Sequence, residues 1–197
     1  MMQLTGKITR DSLMTLEAYS KYRKAHKGDV IAHRKLRSVP LGDHVTLQFE
    51  SEMTIRYQIQ EMLRIERIFE EAGIQGELDA YNPLLPDGGN WKATLFIEYP
   101  DVEERRRMLE RLKGIERQTW VQAGDSERVY AIADEDLERE NEEKTAAVHF
   151  VRFELPAAAR EALRRGAGVR IGSDHPEYRR SVEATPEQRA ALLKDLA

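Results

Sequence analysis

At 197 residues, with 41% hydrophobic and 34% charged side chains, the chain is long enough to close its own core without a disulfide or structural metal, and too apolar for disorder. Cysteine is absent, which excludes thiol catalysis, disulfide exchange, iron–sulfur ligation and cysteine-type zinc sites for the chain acting alone. A formal net charge of −4 and a pI near 5.8 argue against general nucleic-acid binding.

The start, MMQLTGKITRDSL, has no apolar stretch of signal-peptide length, and no run of about 18 apolar residues follows. The expected setting is therefore the cytoplasm, away from membranes. Residues 11–26 carry Leu13, Leu16, Tyr19 and Tyr22 at helical spacing. Gly28 is expected to end or kink that helix, with VIAHRKLR forming a short second one. Residues 1–40 then make a helical N-terminal segment of a single domain spanning 1–197. VTLQFE (45–50) alternates apolar and polar positions and reads as a half-buried strand.

Residues 53–72 read as one helix stopped by Gly73. The irregular stretch ELDAYNPLLPDGGN (77–90) follows, and KATLFIEY (92–99) is a strand. Asp101 and Glu104 open a helix that runs to about Lys113, with Gly114 just past its end. TWVQA, ERVYAIA and AAVHFVRFEL are three strands, the first two joined by the turn residues GDSE and the last two separated by an acidic insert. A helix from Pro156 ends at ALRRG, GVRIGS is a short strand, and Thr185-Pro186-Glu187-Gln188 starts a final helix. Together these elements predict an α+β fold: a mainly antiparallel sheet of five or six strands with helices packed on it.

Within the 53–72 helix, Ile55, Ile59, Met62, Leu63 and Phe69 form one apolar stripe. Glu66 falls inside it, about 20° from Ile55 when each residue advances 100°, and Gln58 lies on its flank. Arg56, Gln60, Arg64 and Arg67 fall on the side expected to face water. A carboxylate in the stripe must pair with a cation, ligate a metal or hold a proton, because an unpaired buried charge is strongly destabilising. Candidate companions are Glu61 at the helix flank, His149 on the face of its strand shared with Val151 and Phe153, and the neighbours Asp174 and His175 in the turn-like SDHPEY. A set of this kind, all nitrogen and oxygen, would suit iron, manganese or zinc. Without a metal, the same residues are a hydrogen-bonded polar cluster. Tyr19, Tyr22 and His26 share a stripe on the first helix, which His33 joins only if the helix survives Gly28. No HExxH, glycine-rich phosphate loop or Gly-x-Ser-x-Gly is present.

In the 77–90 stretch, turn residues flank Leu84 and Leu85, so Tyr81, Asn82, Leu84, Leu85 and Asp87 are candidates for a docking loop; the alternative is a packed Ω-loop. Two charge runs stand out. Residues 21–37 hold seven Lys or Arg against one Asp, and DEDLERENEE (134–143) holds seven acids against one Arg. Both suit solvated surfaces, or attraction to each other or to a partner. The basic run also admits binding of an anion or RNA.

The segments YQIQEMLRIERIFE, ELDAYNPLLPDGGNWKATLFIEYPD, VYAIADEDLERENEEKTAAVHFVRFEL and DHPEY resemble a bacterial family catalogued as domain of unknown function 3501, over nearly the whole chain. The resemblance brings no catalytic residue. It implies a place beside rubrerythrin-like proteins and iron–sulfur oxidoreductases, hence peroxide handling or anaerobic redox metabolism. Lacking cysteine, the chain suits an accessory or binding role there better than a redox centre.

Overall fold

The structure, a computed structural model, describes residues 6–133 and 145–197. The acidic run at 134–143 lies outside the described residues. A 3-10 turn at Arg10–Ser12 leads into helix α1 (Leu16–Lys35), whose N-cap Thr15 accepts a hydrogen bond from the Ala18 amide. Strands β1 (Ser38–Pro40) and β2 (Val45–Phe49) follow, then helices α2 (Glu52–Ile65) and α3 (Glu71–Tyr81). Next come β3 (Asn90–Ile97), α4 (Val102–Arg111), β4 (Thr119–Ala123) and β5 (Val129–Tyr130). The chain finishes with β6 (Val148–Glu154), α5 (Ala157–Arg164), β7 (Val169–His175), β8 (Tyr178–Glu183) and α6 (Pro186–Leu193).

The fold is α+β, with eight strands in two antiparallel sheets where one sheet of five or six was expected. Their orders are β1-β2-β3-β6 and β5-β4-β7-β8. The sheets meet at one seam, where Ile132 and Arg152 exchange two backbone hydrogen bonds of 2.9 Å. At the opposite seam the Tyr178 hydroxyl donates to the Leu41 carbonyl at 2.5 Å, and from α6 the Gln188 amide donates to the Ser38 carbonyl at 2.9 Å. The inner faces share one core. Leu47, Phe49, Trp91, Leu95 and Phe153 from the first sheet meet Val121, Val169 and Ile171 from the second, closed by Leu163 and Leu192. Alternation along each strand produces this division, since successive side chains point to opposite faces.

The outer face of the first sheet carries Phe150, and α2 and α3 pack on it. Ile55, Ile59 and Leu63 meet Ile74 and Leu78 there, with Ile8, Leu13, Leu84 and Leu85 filling the margins. Two helix boundaries depart from expectation. Gly28 neither ends nor kinks α1; a methyl group there would meet nothing within 4 Å, so the glycine costs only its own flexibility. The expected 53–72 helix ends at Ile65, and a separate helix, α3, starts at Glu71 and runs past Gly73 into the stretch expected to be irregular from residue 77. The stop of α2 is Arg67, which takes the left-handed conformation at φ 54°, while the Ile68 amide donates back to the Leu63 carbonyl at 2.9 Å. That is the Schellman closure with arginine in the place glycine usually holds. Gly73 lies inside α3, where a Cβ would approach Ile68 Cγ2 to 2.7 Å. Among the described residues no helix is long and apolar enough to cross a membrane.

Candidate functional site

The break after Ile65 changes the meaning of Glu66. It is the C-cap residue of α2 and is exposed, so the expected buried carboxylate is not there. An uninterrupted helix would have kept its 100° phase; the left-handed step at Arg67 swings the chain away before Phe69, which is 69% exposed. The buried polar residues of α2 are Thr54 in its first turn and Gln60, expected on the water side. The Gln60 amide grips the Met14 backbone, accepting from N–H at 2.7 Å and donating to C=O at 3.4 Å. Gln58 is half-buried.

Just before α2, buried Glu50 accepts from Thr54 and, at 2.8 Å, from Thr94; within α2 the carboxylate that gathers several donors is Glu61. Arg23 on α1 donates through Nε at 2.6 Å and Nη2 at 3.2 Å, the Tyr19 hydroxyl donates at 2.9 Å, and Arg64 on α2 adds bonds of 3.3 and 3.1 Å. Burial alone would raise the Glu61 carboxyl, but the donors from Arg23, Arg64 and Tyr19 outweigh it and hold the group at about 2. Burial, with Glu61 adding to it, pushes the Tyr19 phenol well above its ordinary value. Neither group is poised to exchange a proton near neutrality.

Beside this network, α1, α2 and the preceding residues enclose a crevice of about 190 Å³. Met14, Tyr19, Tyr22, Val30, Met53 and Tyr57 supply its apolar walls, and the Glu52–Arg56 ion pair stands at its edge. Met14, Tyr22 and Met53 remain 38–42% exposed. Tyr22 stacks on His26 with ring centroids 3.8 Å apart. Because α1 is continuous, His33 stays on this side of the helix, its Nε2 2.8 Å from the hydroxyl of Ser51, the N-cap of α2. Burial, then Arg37 and Lys194, lower the His33 imidazole.

The other expected site residues are dispersed. His149 is fully buried on the inner face of the first sheet, its Nε2 2.7 Å from the Thr145 hydroxyl and 3.0 Å from the Ala146 carbonyl. Thr94 and Phe150 face α2 from the opposite side of that sheet, so His149 and the α2 carboxylates are separated by it. Asp174 and His175 lie in β7, not in a turn, and alternate faces. Asp174 is outside, accepting from Tyr130 at 2.6 Å and Arg128 at 2.7 Å; hydrogen bonds from Tyr130 foremost hold its carboxyl low. His175 is inside, with Nε2 3.1 Å from the Lys113 carbonyl. Among the described residues no group of three or more His, Asp or Glu side chains is arranged to hold a metal ion.

The 77–90 stretch is packed, not offered. Tyr81 ends α3, Asn82 clasps the Ile8 backbone through bonds of 2.8 and 3.0 Å, and Leu84 and Leu85 are each 8% exposed. Asp87 is exposed and caps the turn by accepting from Gly89 at 2.9 Å. Within the basic run, Lys21 bonds Glu17, Arg23 is taken by Glu61, and Arg37 is buried. Arg37 donates to the carbonyls of Phe49, Glu50 and Ala191 and to the Asp195 carboxylate, clamping the C-terminal end to the first sheet. Nothing in its local sequence separates this arginine from its solvated neighbours.

No curated protein matches the chain. A crystal structure of a novel protein of unknown function from Burkholderia pseudomallei K96243, at 1.90 Å resolution, is 55% identical, covers 98% of this chain and 100% of its own, and superposes with a TM-score of 0.92. The family profile described as protein of unknown function (DUF3501) matches residues 7–196. With residues 7–196 of 197 inside that match, the chain belongs to the DUF3501 family.

Proposed function

We propose that the chain is a non-catalytic binding protein whose α1–α2 crevice receives an apolar side chain of a partner protein. The carrying observation is the contrast at that crevice. Its apolar residues Met14, Tyr22 and Met53 stand open, whereas the charged groups around it, Glu52 with Arg56 and Glu61 with Arg23 and Arg64, are already paired. Catalysis needs a group free to move a proton or attack a substrate, and the pairing removes that freedom. Open methionine and tyrosine instead favour adaptable protein contacts. The volume points the same way: about 190 Å³ is below the roughly 300–1,000 Å³ of small-molecule and cofactor sites, and suits a side chain.

The partner class follows from the family resemblance: a rubrerythrin-like protein or iron–sulfur oxidoreductase of a cytoplasmic peroxide-handling system, with this chain as its accessory. The test is titration of the full chain with a rubrerythrin-like protein from the same organism, under reducing and oxidising conditions. Binding that weakens about tenfold or more in Met53→Glu, with unchanged thermal stability, supports the reading. No complex under either condition overturns the partner, and binding indifferent to Met53→Glu overturns the crevice.

A further inference from the structure

We propose that α1 is a strap tied at both ends and latched in the middle by Glu61, and that it opens by local unfolding between those ties, uncovering the crevice. Its purpose rests on the reading of the crevice as a binding site; its existence does not. The helix is thinly anchored for its length. Of the 20 residues from Leu16 to Lys35 only Tyr19 and Val30 are buried, whereas the 14 residues of α2 bury five. Burial of apolar surface is what holds a helix to its neighbour, so α1 has little of it to lose.

Intrinsic preference weakens α1 further. An exposed glycine, Gly28, sits in its interior. Lys24 and Lys27, three residues apart, repel each other, as do Arg23 and Lys27 at four. The ends are firm by contrast. At the start, Gln60 holds the Met14 backbone. At the finish, His33 meets Ser51 and the Arg37 clamp follows two residues after the helix. Between those ties, the hydrogen bonds from α1 to an α2 side chain are those of Tyr19 and Arg23, and both converge on Glu61. Arg64, on the same helix as Glu61, keeps the carboxylate placed when α1 leaves, so the latch can close again. A segment with few buried contacts and one polar catch belongs to the low end of local stability and opens ahead of the sheet.

Hydrogen exchange read by mass spectrometry on the full chain tests this. Amides of 16–35 are expected to exchange well before those of β3 and β6. Glu61→Gln should speed the α1 amides about tenfold, the effect of losing one charge-assisted bond, with β3 and β6 unchanged. Tyr19→Phe removes only one hydroxyl and should move α1 in the same sense by less, which keeps the test open if Glu61→Gln does not fold. Exchange of α1 together with the sheet, or α1 rates unmoved by both substitutions, overturns the strap. A strap that opens in a chain binding no partner leaves this inference standing and removes the binding reading; a partner that binds while α1 stays as protected as β3 does the reverse.

Discussion

Two arginine–carboxylate contacts in this molecule look alike on paper and behave in opposite ways. Asp195 meets one arginine, Arg37, in a site where the arginine side chain is 1% exposed and the aspartate 9%. Burial pushes its carboxyl up to about 6 against the pull of that guanidinium, which is shared with three backbone carbonyls. Glu61 is 15% exposed and meets two arginines and a phenol, and its carboxyl falls to about 2. The number of donors relative to the water lost decides the sign, and proximity to an arginine alone does not.

The comparison is broken most forcefully at Arg37. Arg37→Met leaves the carbonyls of Phe49, Glu50 and Ala191 without their donor and Asp195 without its cation. A loss of about 3–5 kcal/mol in urea unfolding is expected. An effect below 1 kcal/mol would show that the clamp is solvated.

Asp195 comes next. Its folded pKa is raised, so its contribution is fully present below the unfolded value of 3.8 and is lost as pH climbs through about 6. Stability should decline between pH 4 and 7 by up to about 3 kcal/mol through this group, and Asp195→Asn should flatten that limb. Glu61 has the reverse sign. Its contribution is present above the ordinary value of 4.5 and disappears as pH falls toward 2. Glu61→Gln should cost about 1–2 kcal/mol at pH 7 and nothing at pH 2. If both variants shift the same limb, the two contacts are not distinct in kind.

The smallest expected change lies at the break that exposed Glu66. Arg67→Gly relieves a side chain from the left-handed region while loosening the unfolded chain, for a net gain of about 0.5–1 kcal/mol in chemical denaturation. A loss instead would mean that the arginine side chain contributes contacts outweighing its backbone.

Local chemistry made much of the framework readable. Asp101 accepts from the Glu104 amide at 2.7 Å as its spacing implies, Gly114 is left-handed at the end of that helical region, and Thr185 with Gln188 forms the expected capping box. Strands with alternating apolar positions fell where the pattern put them, except ERVYAIA, which keeps only Val129–Tyr130 and a bridge at Ile132, and His149 shares its face with Val151 and Phe153. The strands that went unread, β1 and β8, carry few apolar residues: three residues ending in Pro40, and YRRSVE. Glu66 misled for a sharper reason. The apolar stripe is real up to Leu63, but the chain turns on an arginine, and no turn residue marks the place. Arg37 and Gln60 could not be singled out, because their burial depends on segments distant in sequence.

That distance has a consequence for how the protein is made. Arg37 leaves the ribosome 158 residues ahead of Asp195, and at about 5–20 residues per second the interval is on the order of 10 s or more. Throughout it the guanidinium must stay hydrated and the first sheet must wait with its end unsealed. The clamp therefore closes only once the residues just past α6 have emerged, and a chain cut before Asp195 would leave the first sheet around an orphaned cation.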